Sequence, residues 1–238
     1  MNILVTNDDG INAEGIAVLA RAAKHFGNVT VVAPASQCSA MSHRITIGRE
    51  MHLEECAFPL DGVSAYSLDG TPADCVKAAM DALMPECPDV VLSGINIGYN
   101  VGFEIAYSGT VGAAMDALMY GVPAIAVSRN DIGSFDAVEE ELLPILEKLI
   151  NNPPAKNEIW NVNFPGEKAK GILWGRKPAA DCYYDARMRL EKTESGLVVK
   201  YPPLLDVDNS KPRGAQDSDL YAVISGYISV GRLRFELL

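Results

Sequence analysis

The chain has 238 residues, of which 48% are hydrophobic and 21% charged; this composition excludes a disordered or coiled-coil reading and is long enough to bury a full core. Acidic residues number 31 against 20 basic ones, a formal net charge of −11, which argues against a nucleic acid duplex or an anionic membrane as partner. An anionic substrate would need local positive charge from a metal, a helix end or a few basic side chains.

No apolar run approaches the roughly 18 residues of a spanning helix. The opening MNILVTNDDG has no basic leader and does not read as a signal peptide. Five cysteines, Cys38, Cys56, Cys75, Cys87 and Cys182, are odd in number and form no CxxC, so neither a disulfide framework nor a thiolate zinc site is expected. A reducing cytoplasm is the simplest setting.

Asn2 to Thr6 reads as a short buried strand. Glu14 to Phe26 follows with helical spacing of Ile16, Leu19, Ala20, Ala23 and Phe26, ended by Gly27. Val29 to Ala33 is a second strand, and strand, helix, strand demands a parallel sheet with a right-handed crossover. Thr71-Pro72-Ala73-Asp74 opens a helix running to about Met84, with Thr as cap and Pro at the first position. The strand Asp89 to Leu92, a glycine-rich loop, a helix from Thr110 to Tyr120, the strand Ala124 to Val127 and a helix from Phe135 to Asn151 repeat the pattern. Apolar strands between helices indicate a doubly wound α/β core over residues 1–150. Beyond it, Trp160 to Phe164 reads as a strand. Tyr183 to Glu191 and Leu197 to Tyr201 read as a hairpin, Asp206 to Asp219 as a loop, and Tyr221 to Val230 as a final strand. Residues 151–238 are expected to extend the same single domain with a hairpin and an arm.

Four segments follow strand ends, where ligands of open α/β sheets bind. Asn7-Asp8-Asp9-Gly10 places adjacent carboxylates that repel unless a cation lies between them; an Asx turn with a helix cap explains the same letters. Ser36 to His43 carries small hydroxyls. Ser93 to Asn100 offers Gly94, Gly98 and the neutral amide oxygen of Asn96. Ser108-Gly109-Thr110 starts a helix, a natural anion site. The chain lacks GxGxxG and GxxxxGK[ST], the marks of common dinucleotide and P-loop sites.

ILVTNDDG, the loop around Ser39, GTPADCV (Gly70 to Val76), VVLSGINIGYNVG (Val90 to Gly102), YSGTVGAAMDA (Tyr107 to Ala117) and GYISV (Gly226 to Val230) together resemble the SurE family of acid phosphatases and 5′/3′-nucleotidases. The resemblance implies a Rossmann-like core and one divalent ion per subunit, Mg²⁺ or Mn²⁺, on Asp8, Asp9, Ser39 and Asn96. It implies nucleoside monophosphates as substrates, with short polyphosphate for some members, and a homodimer or homotetramer joined by C-terminal arms. The stop soon after GYISV is earlier than in many relatives.

The expected chemistry is attack of water on a phosphomonoester. Asp8 or Asp9 serves as base, and Asn7, Gly94, Asn96, Ser108, Gly109 and Thr110 are candidate phosphate contacts. Tyr99, Phe103 and Tyr107 either stack on a base or belong to core and subunit contacts. Three rival readings are a nucleotide-binding protein without turnover, a receiver-like signalling domain and a metal-dependent phosphodiesterase or pyrophosphatase; a receiver needs an aspartate where the strand DVVL is followed by Ser93, and the last often uses two metals and several histidines, of which this chain has three.

Overall fold

The computed structural model describes residues 1–185, 188–193, 195–200, 205–206 and 211–235. Residues 186–187, 194 and 201 of the expected hairpin, and 207–210 of the expected loop, lie outside the described residues. Strands are β1 (Asn2–Thr6), β2 (Asn28–Pro34), β3 (Leu53–Glu55), β4 (Ser64–Leu68), β5 (Val90–Ile97), β6 (Ala124–Arg129), β7 (Glu158–Phe164), β8 (Ile172–Arg176), β9 (Tyr184–Asp185), β10 (Arg189–Thr193), β11 (Gly196–Lys200), β12 (Leu205–Asp206) and β13 (Ile228–Arg234). The α-helices are α1 (Glu14–Ala23), α2 (Pro72–Ala78), α3 (Gly109–Ala117), α4 (Asp136–Ile150) and α5 (Asp219–Ile224).

Nine strands form one sheet in the order β3-β4-β2-β1-β5-β6-β7-β13-β8. From β4 to β7 every neighbour is parallel, as continuous apolar strands joined by helices require. The chain winds outward from β1 through β2 to β4, then returns beside β1 as β5 and winds the other way. The reversal opens a crevice between the carboxyl ends of β1 and β5. One face of the sheet is covered by α1 and α4, with Ile16, Leu19, Leu142 and Leu146 in its core. The other is covered by α2 and α3, with Val76, Val111, Ala113 and Ala114. Burial on both faces accounts for the absence of polar alternation in β1 and β6.

The extension shares this sheet: β7, β8 and β13 lie beyond residue 150, with β13 antiparallel to β7 and parallel to β8. The hairpin is present as β10 and β11, antiparallel, with all its described residues exposed. The stretch Tyr221 to Val230 is not one strand. Ser218 caps α5 by accepting a hydrogen bond from the Tyr221 amide, and Gly226, at φ +82°, turns the chain into β13. The segment after β5 also differs from expectation. The strand runs on to Ile97, with its register against β6 shifting between Ser93 and Asn96. Among the described residues, no helix is long and apolar enough to cross a membrane.

Candidate active site

Asn7 is fully buried and shapes the first loop. Its Oδ1 accepts from the Gly10 amide at 3.1 Å and its Nδ2 donates to the Gly10 carbonyl at 2.9 Å. Gly10 sits at φ +99°, where a side chain would be strained. The turn carries Asp8 and Asp9 over the rim of the sheet. The side chain of Asn7, expected as a phosphate contact, is therefore spent on building the turn.

Bonds between loops gather the candidate ligands. The Asp8 carbonyl accepts from the Cys38 amide at 2.7 Å, which brings the neighbouring, exposed Ser39 to the same rim. Asp9 Oδ2 accepts from the Ile97 amide at 3.1 Å, which brings β5's end and Asn96 alongside, and Asp9 Oδ1 accepts from Gln37 Nε2 at 3.3 Å. Asn96 donates from Nδ2 to the Gly98 carbonyl at 2.8 Å, leaving its oxygen as the atom suited to a cation. Asp8 and Asp9 follow β1, Ser39 lies in the loop after β2 and Asn96 near the end of β5, and these backbone bonds tie the three segments together at the β1–β5 crevice.

The start of α3 closes the other side. Ser108 caps the helix by accepting from the Val111 amide at 3.0 Å. The Thr110 hydroxyl donates to Asp8 Oδ1 at 2.6 Å. Gly109 lies so near that a β-carbon would stand 3.0 Å from Asp8 Cβ. Ser108 and Thr110 therefore spend their hydroxyls within the protein, and what α3 presents to an anion is its N-terminal backbone and dipole. Gly94 is buried in the sheet at φ +138°, where a β-carbon would collide with the Val127 carbonyl. Its smallness serves strand contact.

The electrostatics favour a cation. Burial pushes the Asp8 carboxyl from 3.8 up to about 6; the Thr110 hydroxyl opposes this and the charge of Asp9 adds to it. Asp9 is also raised, chiefly by burial, against the opposing Ile97 amide, Gln37 and the Arg129 guanidinium. Two desolvated carboxylates side by side want positive charge between them. Burial and the charge of Asp8 push the Cys38 thiol up as well. Among the described residues no group of three or more His, Cys, Asp or Glu side chains could hold a metal. The set here is two carboxylates completed by a hydroxyl and an amide oxygen, and these donors fit a hard divalent cation such as Mg²⁺ or Mn²⁺.

Arg129 escaped sequence reasoning. It ends β6, paired in register with Ile97, and is only 6% exposed. Its guanidinium lies 4.3 Å from the Phe135 ring centre, with Nη1 donating to the Asn130 carbonyl at 2.7 Å and Nε without a partner among the described residues. The one available signal was an arginine following a wholly apolar strand. Of the aromatic candidates, Tyr99 is buried against Tyr183, whereas Phe103 and Tyr107 are exposed.

Fold and rim together define a doubly wound α/β protein with two adjacent carboxylates at the carboxyl ends of its central strands, beside a helix N-terminus. The family model described as Survival protein SurE matches residues 3–181, and the chain belongs to the SurE family. It is 36% identical to the 5′-nucleotidase SurE of Pelotomaculum thermopropionicum, over all of this chain and 90% of that protein. It is 38% identical to the 5′-nucleotidase SurE of Clostridium botulinum (strain Langeland), over all of this chain and 94% of that one. The crystal structure of the SurE protein from Aquifex aeolicus superposes with a TM-score of 0.83 at 31% identity, covering all of this chain and 95% of that one.

Proposed function

We propose that this protein is a metal-dependent 5′-nucleotidase that hydrolyses nucleoside monophosphates to nucleoside and phosphate. The family and its relatives' names supply the reaction class. The observation that carries the site is the meeting of Asp8, Asp9, Asn96 and Ser39 beside the N-terminus of α3. Asp8, Asp9, Ser39 and Asn96 would hold one Mg²⁺ or Mn²⁺ per subunit. When bound, the ion draws charge from the phosphoryl group and acidifies a water molecule.

The chain's own groups do the rest. Asp8 is held by the Thr110 hydroxyl, and its role is to present a fixed charge. Asp9 is less buried, and among the described residues its Oδ1 accepts only from Gln37, at 3.3 Å; this atom takes the proton of the attacking water. The backbone at Gly109 and the dipole of α3 orient the phosphate oxygens. Phosphoryl transfer asks mainly for such positioning and charge compensation. Residues 1–150 carry this chemistry. Residues 151–238 add sheet strands and the exposed hairpin, whose Leu190, Leu197 and Val199 suit contact with further subunits of a dimer or tetramer. The cytoplasm is the proposed location, and short polyphosphate a secondary substrate.

The test is phosphate release from a panel of nucleoside 5′- and 3′-monophosphates and short polyphosphate, with and without divalent ions. Release from 5′-monophosphates that stops on chelation and returns with Mg²⁺ or Mn²⁺ is expected. Binding without release would favour a non-catalytic nucleotide-binding protein.

A further inference from the structure

The loop that follows Asn96 and the end of β5 is held from outside by the root of the C-terminal extension. The Tyr184 hydroxyl accepts from the Tyr99 amide at 3.2 Å. Glu104 Oε1, on the far side of that loop, accepts from the Tyr183 amide at 2.9 Å and the Tyr184 amide at 3.2 Å. The rings of Tyr99, Tyr183 and Tyr184 stack edge to face in sequence, each pair with centroids 4.8 Å apart. Tyr184 opens β9, which pairs with β12, so it belongs to the arm and not to the catalytic core.

One peptide unit joins these contacts to the cation site. The Gly98 carbonyl, which accepts from Asn96 Nδ2 at 2.8 Å, and the Tyr99 amide, which donates to Tyr184, are the two polar groups of the same planar peptide. They point to opposite sides of the chain. A plane gripped at both ends cannot rotate, and Gly98, at φ +118°, has no side chain to resist rotation by itself. The hydroxyl of Tyr184 therefore fixes the acceptor that fixes the Asn96 amide, and with it the direction of the Asn96 oxygen.

We propose that Tyr184 is a positioning residue for the cation site, holding Asn96 in its ligating orientation through the Gly98–Tyr99 peptide. The inference rests on the assignment of Asn96 as a cation ligand made above. It makes the root of the arm a determinant of metal affinity, although Tyr184 itself touches neither ion nor substrate.

The experiment is calorimetric titration of the metal-stripped full chain with Mn²⁺, for the wild type, Tyr184→Phe, Tyr183→Phe and Asn96→Ala. Tyr184→Phe keeps the ring and removes the hydroxyl that accepts from the Tyr99 amide, so an unchanged circular dichroism spectrum and a melting temperature within a few degrees are expected. Loss of one neutral hydrogen bond predicts Mn²⁺ binding weakened about five- to tenfold. Tyr183→Phe, which alters the same aromatic cluster without touching the Tyr99 amide, should titrate like the wild type. At raised Mn²⁺, Tyr184→Phe should regain most of its kcat, which a general loosening of the fold would not allow. Wild-type affinity in Tyr184→Phe alongside a weakened Asn96→Ala overturns this inference alone, as does an equal loss in Tyr183→Phe. Wild-type affinity in Asn96→Ala overturns the ligand assignment and the inference with it.

Discussion

The Thr110 hydroxyl donates to Oδ1 of Asp8 at 2.6 Å, across 102 residues of sequence. It joins the first turn of α3 to the loop after β1 and lowers a carboxyl that burial raises. Thr110→Val keeps the shape and removes the donor. Hydrogen bonds to charged groups contribute about 1.5–3 kcal/mol, so kcat/KM should fall about 10- to 100-fold. The Asp8 carboxyl should rise further, moving the acid limb of the pH–rate profile to higher pH. An unshifted limb with normal turnover would remove Thr110 from the account.

Asp8 also sets a pH dependence of stability in the metal-stripped protein. Its folded-state pKa, about 6, lies above the ordinary 3.8. Between those values the folded chain binds more protons than the unfolded one, so this group's stabilisation is complete below about pH 4 and lost as pH rises through about 6. The rise corresponds to about 3 kcal/mol. Asp8→Asn should therefore be more stable than the stripped wild type by up to about that amount at pH 7–8 while losing phosphatase activity, and the gap should close toward pH 4. Mn²⁺ should raise the melting temperature of the wild type and leave that of Asp8→Asn nearly unmoved. Urea unfolding across pH with chelator present measures the first effect and thermal melts measure the second; a flat difference between the two proteins would contradict the buried-charge reading.

The candidate rim was legible as a place because its segments follow largely apolar strands, and a carboxyl-end loop of such a sheet has few alternatives. Asp8, Asp9, Ser39 and Asn96 could be singled out as residue types. Their neighbours' loyalties could not: whether Asn7 faces a ligand or closes its own turn depends on a Gly10 conformation that spacing does not reveal. Ser108 and Gly94 were ambiguous for the same reason. Tyr221 to Val230 was misread because six helical residues and a strand are both apolar, and periodicity cannot separate runs so short. The edge strands β3 and β8, and β4 beside β3, are short and partly exposed and carry little pattern.

Arg129 offers a case in which stability and activity should part. It has no carboxylate within ion-pair distance among the described residues, yet its charge lowers the Asp9 carboxyl from a short way off. Arg129→Met retains much of the volume over Phe135 and removes a buried, partly unpaired charge, a change that is often neutral or stabilising. The melting temperature should hold or rise. With the opposing charge gone, Asp9 should titrate higher and the acid limb of kcat/KM should move up in pH. A limb that stays in place would show that Arg129 does not act on Asp9.

Gly109 tests the packing of α3 on the site without altering a charge. It has an ordinary helical backbone conformation, so alanine brings no strain and would usually favour a helix. Here its β-carbon would lie 3.0 Å from Asp8 Cβ and 3.1 Å from Asp8 Oδ2, with Pro72 Cγ at 3.3 Å on the other side. The neighbour must yield, and Asp8, on a loop, yields more readily than a proline that begins α2. Gly109→Ala should therefore fold with a melting temperature within a few degrees of the wild type. Displacing a ligand carboxylate by a few tenths of an ångström should weaken Mn²⁺ binding and lower kcat/KM by about tenfold or more. Calorimetry and steady-state rates on the same preparation decide it, and retention of both values would mean that Asp8 does not need the helix start pressed against it.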